Sequence, residues 1–141
     1  VDRPALADEI SRRAGGPIQV LAEVKLTGEE QKGGVQRADL PALVRHVLDL
    51  PNLELVGLMT MARKGSPELA RPVFRELARL RSELAEEYSG RIHHLSMGMS
   101  QDYEVAVEEG ATLVRVGEAV FGPRHPRQAH LGPDRIGESE R

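Results

Sequence analysis

Short apolar runs alternate with longer stretches whose apolar residues recur every three or four positions. This alternation limits the fold more than any other feature of the chain. Residues 18–24 (Ile-Gln-Val-Leu-Ala-Glu-Val) read as a strand, as do residues 53–59 (Leu-Glu-Leu-Val-Gly-Leu-Met), 92–95 and 113–116. Before the first strand, Ala5, Leu6, Ala7 and Ile10 lie at helical spacing, and Gly15-Gly16 stops that helix. Leu40, Leu43, Val44, Val47 and Leu48 form a second apolar stripe, broken by Pro51-Asn52. Ser66-Pro67-Glu68 reads as a helix start: a capping hydroxyl, a proline in the first turn, and an acid favoured by the macrodipole. That helix is predicted to run to about Tyr88, with Leu69, Val73, Leu77, Leu80 and Leu84 inward. A further helix is predicted from Ser100 to the stop at Gly110.

Strands that alternate with helices run parallel and are joined by right-handed crossovers. Two α/β architectures obey that rule, an open doubly wound sheet and a closed (β/α) barrel. An eight-unit barrel takes about 250 residues, roughly 30 per unit, so a chain of this length holds about four to five units. The chain has 141 residues, opens on Val1, and leads with a helix that has no strand before it. If the fold is a barrel, these features predict that residues 1–122 are its C-terminal half. Beyond Gly122 the sequence is rich in Pro, Gly, His and charge, and residues 123–141 are expected to be an unpacked tail.

Composition excludes several functions. Lys plus Arg is 19 and Asp plus Glu is 22, a net charge of −3 that offers no footprint for nucleic acid or an anionic membrane. Aromatic residues are 3% and Trp is absent, so base-stacking platforms are not expected. There is no cysteine, which removes disulfides, thiolate metal sites and a thiol nucleophile together. No apolar run approaches the roughly 18 residues of a membrane span.

Parallel α/β folds place ligands at the carboxyl ends of their strands. Three segments sit there: Lys25 to Gly34, Ser96-Met-Gly-Met-Ser100, and Arg115-Val-Gly-Glu118. Ser96 to Ser100 joins a strand to a helix start and offers two hydroxyls, a glycine and free N–H groups, a set that suits a phosphate. An ordinary capped turn with two core methionines is the commoner reading of such spacing, since serine caps are frequent. Gly117 followed by a short helix resembles the phosphate-binding corner of barrels. Arg115 fits that corner or a plain surface ion pair. Glu29 to Gly34, with Lys32, reads as a solvated turn, and Lys64 as a solvated charge. His93 and His94, adjacent in the expected strand, are predicted to face opposite sides, so no metal site is expected. His125 and His130 fall in the tail.

Taken together these segments resemble the pyridoxal phosphate homeostasis protein family, also called the proline synthase co-transcribed bacterial homologue. Four stretches carry the resemblance: Glu29-Glu-Gln-Lys-Gly-Gly34, Leu55-Val-Gly-Leu-Met-Thr60, Leu95-Ser-Met-Gly-Met-Ser-Gln-Asp102 and Val114-Arg-Val-Gly-Glu-Ala-Val-Phe-Gly122. They keep the family's order and spacing from Val1 to Gly122. The resemblance implies a parallel (β/α) barrel of the alanine racemase N-terminal type that binds pyridoxal 5′-phosphate. It implies a cytoplasmic, non-catalytic carrier or regulator of vitamin B6, with pyridoxal phosphate enzymes as partners. Ser96, Gly117 and Glu118 would hold the phosphate, Gly117 and Glu118 through main-chain N–H groups, and Arg115 would face the pyridine nitrogen. Many members carry a hydroxyl residue at the position of Glu118 and Asn at that of Lys25. The family's Schiff-base lysine lies on an early strand, expected upstream of this chain. Self-association of a half-barrel is a further expectation. The rival readings are a racemase-like enzyme using the same cofactor and a cofactor-free interaction domain.

Overall fold

The computed structural model describes residues 1–28, 33–63 and 65–123. The order of elements is α1 (Pro4–Arg13), β1 (Ile18–Lys25), β2 (Val35–Gln36), a 3₁₀ turn (Arg37–Asp39), α2 (Leu40–Leu48), β3 (Leu53–Met59), α3 (Pro67–Glu87), β4 (His94–Met99), α4 (Tyr103–Glu108), β5 (Leu113–Arg115) and α5 (Glu118–Phe121). The strands form one parallel sheet in the order β2-β1-β3-β4-β5. From β1 to β5 each helical crossover adds its strand on the same side. Crossovers of one hand that keep moving in one direction collect their helices on one face, as in a barrel wall; a doubly wound sheet reverses direction part-way. The fold is thus α/β, a wall of parallel strands backed by helices.

The helices pack where the sequence is apolar. In α2, Leu40, Leu43, Val44 and Val47 are buried, and in α3 the buried residues are Ala70, Phe74, Leu77, Leu80 and Leu84. These seat on Ala22, Val24, Leu55, Leu58, Leu95 and Met97, all buried in the same core. A register shift keeps the sheet's buried row in phase. Val20 pairs with Leu55 but Leu21 pairs with Gly57, so Val56 is one extra residue in β3. Such a bulge turns the following residues over by one position. It lets Leu53, Leu55 and Leu58 all bury despite their odd spacing. Gly57 cannot be larger here, because a Cβ would collide with the His94 carbonyl oxygen.

Several expectations change. β4 begins at His94 rather than Ile92 and runs on to Met99, so Ser96 to Met99 is strand and not loop. α4 starts at Tyr103, one turn later than predicted, and β5 stops at Arg115. Leu69 is 73% exposed, and Ala70 and Phe74 take the inward positions instead. Ser66 precedes α3 but makes no side-chain cap bond. β2, two residues long, carries no periodicity that a sequence could reveal. His93 precedes β4, and its ring centroid is 4.2 Å from that of His94, so the two imidazoles are neighbours rather than on opposite faces. Strand alternation applies only inside a strand. Among the described residues, no three metal-ligating side chains gather. Glu29 to Lys32, Lys64, His125, His130 and all but the first residue of the expected tail lie outside the described residues. No described helix is long and apolar enough to cross a membrane.

Candidate functional site

Glu23, Met59 and Ser96 are register partners across β1, β3 and β4, and so share the sheet face opposite the buried row. Thr60 follows Met59 and ties the strands together. Its hydroxyl donates to the Val24 carbonyl at 2.8 Å, and its N–H donates to the Ser96 carbonyl at 3.1 Å. Thr60 is 1% exposed, so these bonds are shielded from water.

Arg115, the last residue of β5, reaches back over this corner. Its Nη1 donates to Ser96 Oγ at 2.6 Å and its Nη2 to the Thr60 carbonyl at 3.1 Å. Burial pushes the Arg115 guanidinium below its usual range, while the carboxylates of Glu23 and Asp102 act the other way. Arginine starts so high that the group stays charged at neutral pH. One fixed cation is therefore held at the carboxyl ends of β3, β4 and β5.

The next corner is built by Ser100. β4 has one extra residue against β5, because Ser96 pairs with Leu113 and Met99 with Arg115. Gly98, at φ +92°, takes up that irregularity, and a Cβ there would lie 2.5 Å from Ala106 Cβ. The bulge aims the end of β4 toward α5. The Met99 N–H is then capped by Asp102 Oδ1 at 2.6 Å. Ser100 Oγ accepts from the Gly117 N–H at 3.2 Å and the Ala119 N–H at 3.1 Å. The first N–H groups of a helix have no partner within it. Gly117 has open space where a side chain would stand. Glu118 is exposed.

The structure thus sorts the four sequence-derived residues into two groups. Ser96 and Arg115 meet each other. Gly117 and Glu118 open α5, whose amides meet Ser100. The spacing singled out the whole Ser96 to Ser100 segment, yet it could not tell which hydroxyl serves which neighbour. A separate surface groove of about 390 Å³ is lined by Lys25, Leu26, Thr27, Arg37, Pro72, Val73 and Glu76. It shares no residue with either group.

The family described as alanine racemase, N-terminal domain, matches residues 1–125, and the chain belongs to that family. Its more particular relatives are the pyridoxal phosphate homeostasis proteins, the family that the sequence motifs resemble. The one from Aquifex aeolicus is 52% identical over 128 residues, covering 88% of this chain and 56% of the relative. The human one is 39% identical over 134 residues, covering 88% of this chain and 49% of the relative. The chain spans about half the length of the curated relatives it matches. Among solved structures, PipY of Synechococcus elongatus with pyridoxal phosphate bound aligns at a TM-score of 0.76 and 35% identity, covering 86% of this chain and 58% of PipY. A viral arginine decarboxylase from Paramecium bursaria Chlorella virus, at 15% identity and a TM-score of 0.66, shares the fold.

Proposed function

We propose that the protein binds pyridoxal 5′-phosphate and serves vitamin B6 homeostasis, holding the cofactor rather than turning over a substrate with it. The observation that carries this reading is the Arg115 cation fixed by Ser96 and Thr60, two residues before the α5 amides. Support comes from PipY, 35% identical and solved with pyridoxal phosphate bound.

The donor set fits such a ligand. Backbone N–H groups at a helix start and a serine hydroxyl suit a phosphate. In this reading Ser100 and the Glu118 N–H hold it, together with the Gly117 N–H, which meets Ser100 Oγ here and would be shared with the ligand. The Glu118 carboxylate would repel it, so that residue helps through its backbone alone. The resemblance gives Ser96 to the phosphate; here the Ser96 hydroxyl accepts from Arg115, and Ser100 is proposed in its place because its Oγ stands at the start of α5, against the Gly117 and Ala119 N–H groups. When bound, pyridoxal phosphate supplies an electron-withdrawing ring whose strength depends on a protonated nitrogen. A permanent guanidinium charge facing that nitrogen opposes its protonation. Arg115 therefore favours retention over carbanion chemistry. Covalent attachment is assigned to a lysine in the part of the relatives that this chain does not span. The same reading places the protein in the cytoplasm, with pyridoxal phosphate enzymes as recipients.

Equilibrium dialysis of the intact protein against pyridoxal phosphate, beside an amino-acid racemisation assay, tests this. Stoichiometric retention without turnover is expected. Failure to retain the cofactor contradicts the binding, and steady racemisation contradicts the non-catalytic role.

A further inference from the structure

Arg115 is held at two points, and both acceptors are themselves fixed. Ser96, 4% exposed, presents its hydroxyl oxygen to Nη1, and the Thr60 carbonyl meets Nη2. Ser96 and Thr60 are joined by their own backbone bond, and the Thr60 hydroxyl is anchored on Val24. A guanidinium is planar, so two contacts on different nitrogens define its plane as well as its position. Remove one, and the group turns about the other. The carbonyl of Thr60 belongs to the backbone and survives any side-chain change, which leaves the Ser96 hydroxyl as the adjustable half of the clamp.

We propose that Ser96 is a positioning residue for Arg115: its hydroxyl sets the guanidinium plane, and so the charge presented to the ligand's ring nitrogen, without touching the phosphate. This rests on the reading of Arg115 as the neighbour of that nitrogen.

The test uses the intact wild type, Ser96→Ala and Ser96→Cys, whose thiol is a weak acceptor of similar shape. Ser96→Cys carries the same comparison if the alanine variant does not fold. The first readout needs no ligand. Arginine side-chain NMR, with Arg115→Lys to assign the signal, should show slowed guanidinium rotation in the wild type and its loss in both Ser96 variants. The second readout titrates pyridoxal phosphate across pH. The Ser96 variants should keep their affinity within about threefold. The pH midpoint of the cofactor's absorbance should move upward, in the direction that Arg115→Ala moves it. Unchanged guanidinium rotation overturns the proposal. So does an affinity loss of about tenfold or more with the midpoint unmoved, which marks a direct phosphate contact. If the wild type binds no pyridoxal phosphate, the proposed function fails, and the rotation measurement alone decides on Ser96.

Discussion

Thr60 shows how much one residue can carry. Its hydroxyl and N–H bridge β1, β3 and β4, and its carbonyl receives β5 through Arg115. Thr60→Val keeps the shape but strands the Val24 carbonyl in a dry site. A buried acceptor left unpaired costs about 1–3 kcal/mol. Urea unfolding should report a loss in that range for Thr60→Val and a much smaller one for Thr60→Ser. A negligible loss for Thr60→Val beside a clear one for Thr60→Ser would mean that the methyl group, rather than the hydroxyl, matters. Gly98 is constrained differently. Its φ of +92° strains any side chain, and a Cβ would press on Ala106. Gly98→Ala should cost about 2–4 kcal/mol, combining backbone strain with overpacking. The unfolding midpoint checks this, and a change near zero would show that the bulge relaxes freely. Neither role is legible in the sequence. Thr60 ends a recognisable motif, but its partner lies 36 residues away, and only the folded sheet brings Val24 to it. Arg115 was legible because it stands at a strand end beside Gly117, while its link to Ser96 depends on strand pairing.

At the scale of elements, periodicity suffices to place the long amphipathic stretches. α2 spans Leu40–Leu48 and β3 spans Leu53–Met59, as their periodicity and flanking Pro51-Asn52 predict. The errors fall where tertiary contacts override spacing. β4 continues through Ser96 and Gly98 because β5 and α4 support it, although Ser and Gly read as loop. α4 is short and ends on acids, with Glu108 in its last turn and Glu109 as its C-terminal cap, which its own dipole disfavours. Arginines of α3 offset this. Arg71 bonds Glu68, Glu108 and Glu109, and Arg75 bonds Glu109. These arginines hold the Glu109 carboxyl below its usual range, and Arg71 does the same for Glu68. A carboxyl whose value is depressed on folding stabilises the fold above its unfolded value. That contribution fades as pH falls through the folded one. The melting temperature should therefore drop as pH falls below about 5, and Glu109→Gln should drop less over the same window. Added salt should narrow the difference, because the cluster is near the surface. Identical acid profiles for wild type and Glu109→Gln would remove the cluster from the stability of α4.

At the scale of the whole molecule, the parallel sheet with helical crossovers is legible from strand and helix alternation alone. The choice between an open sheet and a barrel wall is not, since both share that pattern; the unreversed run of β1, β3, β4 and β5 distinguishes them. The site depends on this order, because it brings the ends of β3, β4 and β5 beside one another. There, in the proposed reading, two functions lie a few residues apart, a cation for the ring and a hydroxyl with amides for the phosphate. The proposed phosphate corner is tested by comparing pyridoxal phosphate with pyridoxal, which lacks the phosphate, in the intact wild type and in Ser100→Ala. Charge-assisted bonds are worth about 1.5–3 kcal/mol each, so losing the Ser100 hydroxyl should weaken pyridoxal phosphate about ten- to a hundredfold. Binding of pyridoxal should be unaltered, and the preference for the phosphorylated form should shrink by the same factor. If Ser100→Ala weakens both ligands equally, or neither, the phosphate does not sit between Ser100 and the start of α5.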